Sequence, residues 1–272
     1  MSHVLIAGLG NLGQPLAQCL LDDGHQISGI RRRHREMPGI DLYVQNLVDD
    51  HILLPPDQVD LLYIILTPGA RNESAYRDAF LTGPTRLLDA LQRQQPLPPL
   101  VFVSSTAVFG NVSGVVDEDA EPVPDAFNGR MLLAAEQELS MRTVMTAVRF
   151  SGIYGRNSQR LRDQARAIAR GEAELPAAKW TNRIHQEDCV SLLHQVGKGW
   201  LSGELMPPVI VGSDNHPASN HEVLAWLAEQ EGLTFAQPDS ASPSGKRIHS
   251  RYIEQQGIEL RYPDFRAGYN AD

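Results

Sequence analysis

Short apolar runs recur along the first 150 residues, and amphipathic stretches separate them. A run that is apolar at nearly every position is typical of a parallel strand covered on both faces. The runs predict strands at residues 4–7, 26–30, 42–44, 60–66, 100–103 and 144–150. Leucines at spacings of three and four predict intervening helices, including 73–93 with a bend at Gly83-Pro84 and 129–142. This alternation predicts an α/β fold with a doubly wound parallel sheet.

A G-x-G-x-x-G run, formed by Gly8, Gly10 and Gly13, joins the first predicted strand to the first predicted helix. In such a turn the first glycine permits the tight bend and the second lets the main chain approach a diphosphate. The third lets the helix pack close to the strand, and the N–H groups at the helix N-terminus attract the anion. An ordinary glycine-rich β–α turn is the alternative. The strand–turn–helix context favours a dinucleotide-binding site on a Rossmann-type sheet.

A basic run at residues 31–35 ends the second predicted strand, and no acidic residue precedes Glu36. In a dinucleotide fold an acidic residue near this position binds the ribose 2′-hydroxyl, whereas an arginine accommodates a 2′-phosphate. Guanidinium groups pair with phosphate in a bidentate way. The run therefore predicts NADP rather than NAD, with Arg31 and Arg32 as contacts. A solvated basic loop is the alternative.

Ligands of open α/β sheets sit at the carboxyl ends of the strands. The predicted cofactor contacts are Gly8, Gly10, Asn11, Leu12, Gly13, Arg31, Arg32, Asn46, Leu47, Leu66, Thr67 and Ser104. After residue 150 the pattern loosens into shorter elements, among them a helix that Ser219 caps. We expect a dinucleotide-binding domain over 1–150 and a small C-terminal substrate-side subdomain over 151–272, interleaved as one compact unit.

Composition narrows the range of functions. The 33 acidic and 24 basic residues give a net charge of −9, which disfavours nucleic-acid and anionic-membrane partners. Cys19 and Cys189 are too few for a disulfide framework, so we expect reduced thiols in a cytoplasmic protein. We expect no signal peptide, no membrane span and, because no Cys/His cluster has zinc spacing, no metal.

Four segments in register resemble the extended short-chain dehydrogenase/reductase superfamily, and most closely its atypical branch of NAD(P)-dependent nucleoside-diphosphate-sugar epimerase/dehydratase-like proteins. They are the glycine run, residues 104–110 (similar to S-S-x-x-V-Y-G), residues 149–155 (similar to R-x-x-x-x-Y-G) and residues 183–188 (similar to R-I-H-x-x-D). The resemblance covers nearly the whole chain and implies a small polar substrate, such as a nucleotide sugar. It also implies a homodimer that pairs through helices at 73–93 and 128–142.

The chain departs from this family at the catalytic pair. Family enzymes carry Tyr-x-x-x-Lys on the helix after the acidic loop, and the lysine lowers the tyrosine pKa for proton transfer. In this register the chain has Asn128 and Leu132, neither of which transfers a proton near neutral pH. The resemblance therefore implies the fold and the cofactor but not the usual acid–base chemistry.

Three residues are candidates for catalysis, each with a structural alternative. Ser105 either hydrogen-bonds a substrate oxygen or satisfies nearby backbone. Tyr154 either supplies the missing phenol or packs as a ring beneath the nicotinamide side. His185 is either a proton carrier or a structural turn histidine paired with Asp188.

The expected substrate contacts are Thr106, Asn128, Arg149 and Arg183. Asn128 would orient a substrate carbonyl without protonating it. Each arginine either binds an anionic substrate or pairs with a local carboxylate. Two functions remain: an NADP-dependent oxidoreductase or epimerase with an atypical site, and an NADP(H)-binding sensor or partner-binding module without turnover.

Overall fold

A computed structural model describes residues 1–49, 51–155, 159–236 and 242–270. The strands are β1 (His3–Ala7), β2 (Gln26–Arg31), β3 (Ile40–Val44), β4 (Leu61–Ile64), β5 (Leu100–Ser105), β6 (Gly114–Val116), β7 (Met145–Phe150), β8 (Gly152–Tyr154), β9 (Trp180–Thr181), β10 (Arg183–His185), β11 (Val209–Gly212), β12 (Ala218–Ser219) and β13 (Lys246–Ile248). The helices are α1 (Gly13–Asp22), α2 (Glu73–Arg77), α3 (Gly83–Gln92), α4 (Phe127–Ser140), α5 (Gln159–Ala169), α6 (Gln186–Ser202), α7 (Asn220–Glu229), α8 (Arg251–Gln255) and α9 (Phe265–Asn270).

A seven-stranded sheet in the order β11-β7-β5-β4-β1-β2-β3 forms the core, which confirms the predicted Rossmann-type α/β fold. The pairs β1–β2, β1–β4, β2–β3 and β4–β5 are parallel. Every residue of β1 and β4 is buried, as strands with both faces covered require. Ala7 pairs with Ile30 on β2 and with Ile64 on β4, so these three strands end level with one another. The turn after β1 therefore lies beside the residues that follow β2 and β4.

The bend predicted at Gly83-Pro84 is a π-helical segment, Asp78–Thr82, between α2 and α3. The N–H of Gly83 donates to the carbonyl of Asp78, five residues earlier. Pro84 follows within the first turn of α3 and has no N–H to offer to the helical ladder. The wider turn is thus the local adjustment that joins two helical pieces across this proline.

Several short strands were not predicted, because two or three residues are too few to show a period. The acidic stretch 111–127 contains β6, which pairs in parallel with β13. The strand β8 pairs with β10, and β9 pairs with β12. The helix predicted after Ser219 is present, and the Ser219 hydroxyl accepts from the Glu222 N–H at 3.0 Å.

The chain divides into two compact units. Unit 1 comprises Met1–Gly110, Pro122–Arg149 and Cys189–Ile210, and unit 2 comprises Asn111–Glu121, Phe150–Asp188 and Val211–Asp272. The expected division into 1–150 and 151–272 stays a prediction. Within the described ranges, no helix is both long and apolar enough to cross a membrane.

Candidate functional site

The turn after β1 has the geometry that its glycines predict. Gly8 has a φ of +112°, and a Cβ there would overlap the carbonyl oxygen of Ile65. A Cβ on Gly13 would overlap the carbonyl oxygen of Gly8, so the helix start packs directly on the turn. At Gly10, by contrast, a Cβ would have no atom within 4 Å. The main chain at Gly10 is thus open to a ligand at the carboxyl edge of the sheet.

A cavity of about 690 Å³ opens at this edge, within unit 1. It is large enough for a cofactor-sized ligand. Its lining comes from the ends of β1, β2, β3 and β4 and from the start of the helical stretch after β4: Gly8, Leu9, Gly10, Ile30, Arg31, Arg32, Arg33, Gln45, Asn46, Leu47, Val48, Ile65, Leu66, Thr67, Gly69, Ala75, Asp78 and Ala79.

Arg31, the last residue of β2, and the two arginines after it give the cavity a positive wall. The Nε of Arg31 is buried and has no hydrogen-bond partner among the described residues, and one Nη contacts the Met37 sulfur at 3.7 Å. The Arg32 guanidinium lies 3.3 Å from the position of a Cβ on Gly69, so it extends to the loop after β4. Buried donors in native proteins normally have acceptors. An anionic ligand fits this wall.

Eight predicted cofactor contacts line the cavity: Gly8, Gly10, Arg31, Arg32, Asn46, Leu47, Leu66 and Thr67. Asn11, Leu12, Gly13 and Ser104 do not, although Gly13 supports the turn by packing on Gly8. Sequence reasoning missed Arg33, which belongs to the basic run that it had singled out. It also missed Ala75, Asp78 and Ala79, whose position depends on how the helical stretch after β4 lies on the sheet.

The positions that correspond to Tyr-x-x-x-Lys lie on α4. Asn128 is half-buried near the helix start, whereas Leu132 is 5% exposed and belongs to the hydrophobic core. Gly129 allows α4 to approach the preceding segment closely, because a Cβ there would overlap the carbonyl oxygen of Ala107. That these two positions correspond to the catalytic pair of the family stays a prediction.

A buried ion pair connects α4 to β7 inside unit 1. One Nη of Arg149 lies 2.7 Å from Glu136 Oε2, and its Nε lies 3.2 Å from each carboxylate oxygen. The Ser104 hydroxyl donates to Glu136 Oε1 at 2.5 Å, and the guanidinium lies 5.1 Å from the ring centroid of Phe109. Of the two interpretations of Arg149, pairing with a local carboxylate is the one present. The Ser104 hydroxyl uses its hydrogen in the bond to Glu136 and keeps its oxygen as an acceptor, so its predicted contact with a cofactor stays a prediction.

Ser105 and Thr106 lie where β5 runs into a 3-10 turn, Thr106–Phe109. The Ser105 hydroxyl caps this turn by accepting from the Ala107 N–H at 3.2 Å. This is the backbone interaction expected as the alternative, yet it uses only the oxygen and leaves the hydroxyl hydrogen able to donate. Thr106 is 8% exposed. Ser105 therefore remains compatible with a hydrogen bond to a substrate oxygen.

Tyr154, in unit 2, is held by the C-terminal part of the chain. Its hydroxyl donates to the Asp264 carbonyl at 3.1 Å, and its ring lies 4.9 Å from that of Tyr269 and 5.2 Å from that of His185. Burial, reinforced by the nearby Asp214 carboxylate, raises the pKa of the Tyr154 phenol far above its usual range. A phenolate base is harder to form here than in an ordinary tyrosine.

His185 is enclosed by aromatic rings in the same unit. Its ring centroid lies 3.8 Å from that of Tyr262, and its Nδ1 accepts from the Glu187 N–H at 3.3 Å. The Asp188 carboxylate accepts from the main-chain N–H groups of Arg261 and Tyr262 at 2.8 and 3.1 Å. Burial raises the pKa of Asp188 despite these bonds. Asp188 thus holds the main chain of the segment before α9, and the choice between a proton carrier and a structural histidine for His185 stays a prediction.

Several buried polar atoms near Arg183 in unit 2 have no hydrogen-bond partner among the described residues. One Nη of Arg183 donates to the Thr181 hydroxyl at 2.7 Å, while the other is buried without a partner in the described part of the chain. The same holds for Ser151 Oγ and Asp214 Oδ2. The Asp214 N–H donates to the Arg183 carbonyl at 2.9 Å, and the Ser151 N–H donates to the Gly212 carbonyl at 2.9 Å. Burial raises the pKa of the Asp214 carboxyl to about 7.

The parallel sheet, its glycine turn and the cavity at the carboxyl edge define a nucleotide-binding protein of the Rossmann class. A model of the NAD dependent epimerase/dehydratase family matches residues 4–195, and the chain belongs to that family. Among curated proteins, Protein YeeZ of Escherichia coli (strain K12) is 29% identical over 281 residues, which cover 97% of each chain.

Solved structures agree with this assignment. A protein of Methylobacillus flagellatus, provisionally described as an NAD-dependent epimerase/dehydratase, superposes with a TM-score of 0.81 at 30% identity and covers 99% of this chain and 97% of its own. MoeE5 in complex with UDP-glucose and NAD gives a TM-score of 0.76 at 22% identity, covering 98% of this chain and 96% of its own. The likeness to MoeE5 shows a shared fold.

Proposed function

We propose that this protein binds NADP(H) and acts on a small polar substrate of the nucleotide-sugar type, without the usual tyrosine–lysine pair. The observation that carries the proposal is the cavity at the carboxyl edge, which joins the open main chain at Gly10 to the arginines at 31–33. When bound, the dinucleotide would supply hydride exchange at its nicotinamide. The residues of the chain bind and orient it.

The choice of NADP over NAD depends on the wall after β2. The 2′-phosphate would meet Arg31 and Arg32, where an NAD-specific site offers an acidic residue. The buried Arg31 Nε without a partner supports this assignment. MoeE5 was solved with NAD, so its fold is compatible with the unphosphorylated cofactor. The cofactor preference of this chain therefore rests on its own arginines.

Dissociation constants for NADPH and NADH test the choice of cofactor. We expect Arg31→Ala and Arg32→Ala each to weaken NADPH binding by about 10-fold or more, because each removes a charge-assisted bond to phosphate, and to leave NADH binding nearly unchanged. Arg35→Ala is the matched control, since Arg35 belongs to the same run but donates to Gln14 at 3.1 Å outside the cavity lining. Tighter binding of NADH than of NADPH by the wild type would refute the NADP assignment.

Fewer observations support the proposed substrate contacts than support the proposed cofactor contacts. MoeE5 was also solved with UDP-glucuronic acid and NAD, which shows what one protein of this fold accommodates. Arg183, with a buried Nη free of any partner in the described residues, is the stronger of the two predicted arginine contacts, because Glu136 neutralises Arg149. Thr106 and Asn128 remain predicted substrate contacts, and Ser105 is the hydroxyl that would donate to the substrate oxygen.

A non-catalytic NADP(H)-binding role is the second candidate. It is favoured by Asn128 and Leu132 at the catalytic positions and by the engaged Tyr154 hydroxyl with its raised pKa. Such a protein would report the redox state of the dinucleotide pool or bind a partner. Pairing of two copies through the helices at 73–93 and 128–142 would suit either role, and sedimentation would reveal it.

Turnover separates the two candidates. NADPH oxidation is followed with a panel of sugar nucleotides, aldehydes and ketones. Sustained turnover that is lost in His185→Ala or Tyr154→Phe would establish an enzyme and identify its proton carrier. Tight NADPH binding with no turnover on any member of the panel would favour the sensor.

A further inference from the structure

Arg183 is a buried cation that forms no ion pair with any residue in the described ranges. Its guanidinium lies 5.4 Å from the ring centroid of Phe265, and one Nη has no hydrogen-bond partner in the same ranges. Arg149 is buried as well, but its Nη lies 2.7 Å from the Glu136 carboxylate. A buried charge is costly unless an opposite charge accompanies it. Arg183 can therefore still take an anionic partner, whereas Arg149 already has one.

Two more buried polar groups lie on the segments next to Arg183. Ser151 and Asp214 are 6% and 3% exposed, and neither Ser151 Oγ nor Asp214 Oδ2 has a hydrogen-bond partner among the described residues. The Asp214 N–H donates to the Arg183 carbonyl at 2.9 Å. The Ser151 N–H donates at 2.9 Å to the carbonyl of Gly212, two residues before Asp214. Because buried polar atoms in native proteins normally have partners, three such groups on neighbouring segments indicate a polar ligand.

The turn that carries Asp214 is held at both of its sides. Asp214 Oδ1 accepts from the His216 N–H at 3.0 Å. The next residue, Asn215, has a φ of +58°, which asparagine adopts more readily than most residues with a side chain. Its amide exchanges two hydrogen bonds with the main chain of Ser250, at 3.0 and 2.6 Å. These contacts fix the turn while they leave Asp214 Oδ2 uncommitted.

The protonation state of Asp214 decides which ligand fits. Burial raises the pKa of its carboxyl to about 7. Arg183 and His216 act against this rise, the Asp264 carboxylate adds to it, and the Tyr154 phenol is itself affected by the charge of Asp214. A neutral carboxyl donates a hydrogen bond. With Asp214 neutral the cluster has one positive charge and three donors, which suits a carboxylate, whereas an ionised Asp214 would repel that ligand.

We propose that Arg183, Ser151 and Asp214 form a subsite for one carboxylate group of the substrate, and that Asp214 takes up a proton as this group binds. The inference rests on the proposed substrate role of Arg183 and names an acidic substrate class, such as a uronic acid. The guanidinium and the Ser151 hydroxyl each donate to the ligand. The proton comes from solvent, resides on Asp214 Oδ2 and is shared with the ligand, as two carboxyl groups in one site share a proton.

Formate is the first probe, because the three groups are buried and formate is the smallest carboxylate. It is titrated at pH 8 into weakly buffered protein with a pH indicator, and the urea midpoint of unfolding is followed in parallel. We expect wild type to take up about one proton per chain and to unfold at higher urea in formate. Arg183→Met loses both effects. Asp214→Asn, whose amide donates without titrating, keeps the stabilisation and loses the proton uptake. Arg261→Met, at an exposed arginine of the same unit, keeps both.

UDP-glucuronic acid and UDP-glucose, which differ by a carboxylate, show whether the group belongs to a sugar nucleotide. By calorimetry at pH 6 we expect wild type to prefer the acid by about 10-fold or more and Arg183→Met to prefer it by no more than about 3-fold. Equal binding of the two by wild type overturns the uronic acid as the substrate class, while the formate effects still support a carboxylate subsite.

Two outcomes overturn the subsite itself: wild type that takes up no proton with formate, and formate effects that persist in Arg183→Met. If Arg183→Met is poorly folded, Ser151→Ala replaces it, and we expect that variant to need more formate for the same proton uptake. NADPH affinity is measured on the same preparations. Its absence refutes the proposed dinucleotide function, whereas the formate titration decides the subsite independently.

Discussion

Removing the charge of Glu136 tests how strongly the buried ion pair holds α4 to β7. The side chains of Arg149 and Glu136 are only 5% and 7% exposed, and they are joined by three nitrogen–oxygen contacts of 3.2 Å or less. Glu136→Gln keeps the shape but leaves the guanidinium buried without a counter-charge. Breaking one side of a buried pair destabilises a protein by about 3–5 kcal/mol. We expect Glu136→Gln to lower the free energy of unfolding by that amount.

Urea denaturation at pH 7 measures the loss, with Asp89→Asn as the matched control. Asp89 pairs with Arg142 at 2.6 Å, but the two side chains are 50% and 17% exposed. An exposed pair contributes about 0–1 kcal/mol because water and salt screen it. The double variant Glu136→Leu with Arg149→Met removes both charges together, and an apolar replacement of a buried pair is often close to neutral. We therefore expect the double variant to be more stable than Glu136→Gln.

The reasoning fails if Glu136→Gln and Asp89→Asn lower the free energy of unfolding equally. That result would mean that burial does not decide the strength of the pair and that the Arg149 guanidinium tolerates the loss of its partner. Arg149 would then regain its place as a possible anion ligand for a substrate. A double variant less stable than Glu136→Gln would point instead to side-chain packing around Phe109, over which the guanidinium lies.

Two further changes probe unit 2. Burial raises the pKa of Asp214 from 3.8 to about 7, so the folded state binds a proton that the unfolded state releases, and stability falls as pH rises from about 4 through 7. At pH 8 we expect the free energy of unfolding of Asp214→Asn to exceed that of wild type by up to about 4 kcal/mol, at roughly 1.4 kcal/mol per pKa unit. The difference in free energy should narrow at pH 5, and a difference independent of pH would contradict this. Ser219→Ala removes the cap on the Glu222 N–H and should cost about 1 kcal/mol in the same assay, whereas Ser219→Asp should restore most of it; an Ala variant as stable as wild type would show that the cap contributes nothing.

The sheet and the glycine turn could be predicted because their signals are local. The apolar run of β1 and the spacing of Gly8, Gly10 and Gly13 lie within a few residues of one another, and the turn geometry follows from the missing side chains. The basic run after β2 was equally visible. Its position at the cavity followed from strand order, since β2 is the parallel neighbour of β1.

The remaining features depend on contacts between distant residues. Nothing near Arg149 in the sequence marks Glu136 as its partner rather than a substrate, because the choice depends on how α4 packs against β7. The Tyr154 hydroxyl meets the Asp264 carbonyl, 110 residues later along the chain. Asp78 lines the cavity from a π-helical segment that the hydrophobic periodicity does not predict. Sequence patterns therefore predicted the helices and strands, but not which polar groups would form hydrogen bonds or ion pairs within the fold.

The two candidate functions differ in which polar groups must be available to a ligand rather than hydrogen-bonded within the fold. Glu136 engages both Arg149 and Ser104, and the Tyr154 hydroxyl is engaged by main chain, so these groups have less capacity left for a substrate. In the part of the chain that the structure describes, buried side-chain atoms without a hydrogen-bond partner include Arg31 Nε at the cavity and, in unit 2, one Nη of Arg183, Ser151 Oγ and Asp214 Oδ2. A protein that only sensed the dinucleotide would require the first of these and not those of unit 2. If the wild type turns over a substrate, we expect Arg183→Met to lose that turnover and to keep its NADPH affinity; loss of both would assign Arg183 to the fold rather than to the substrate.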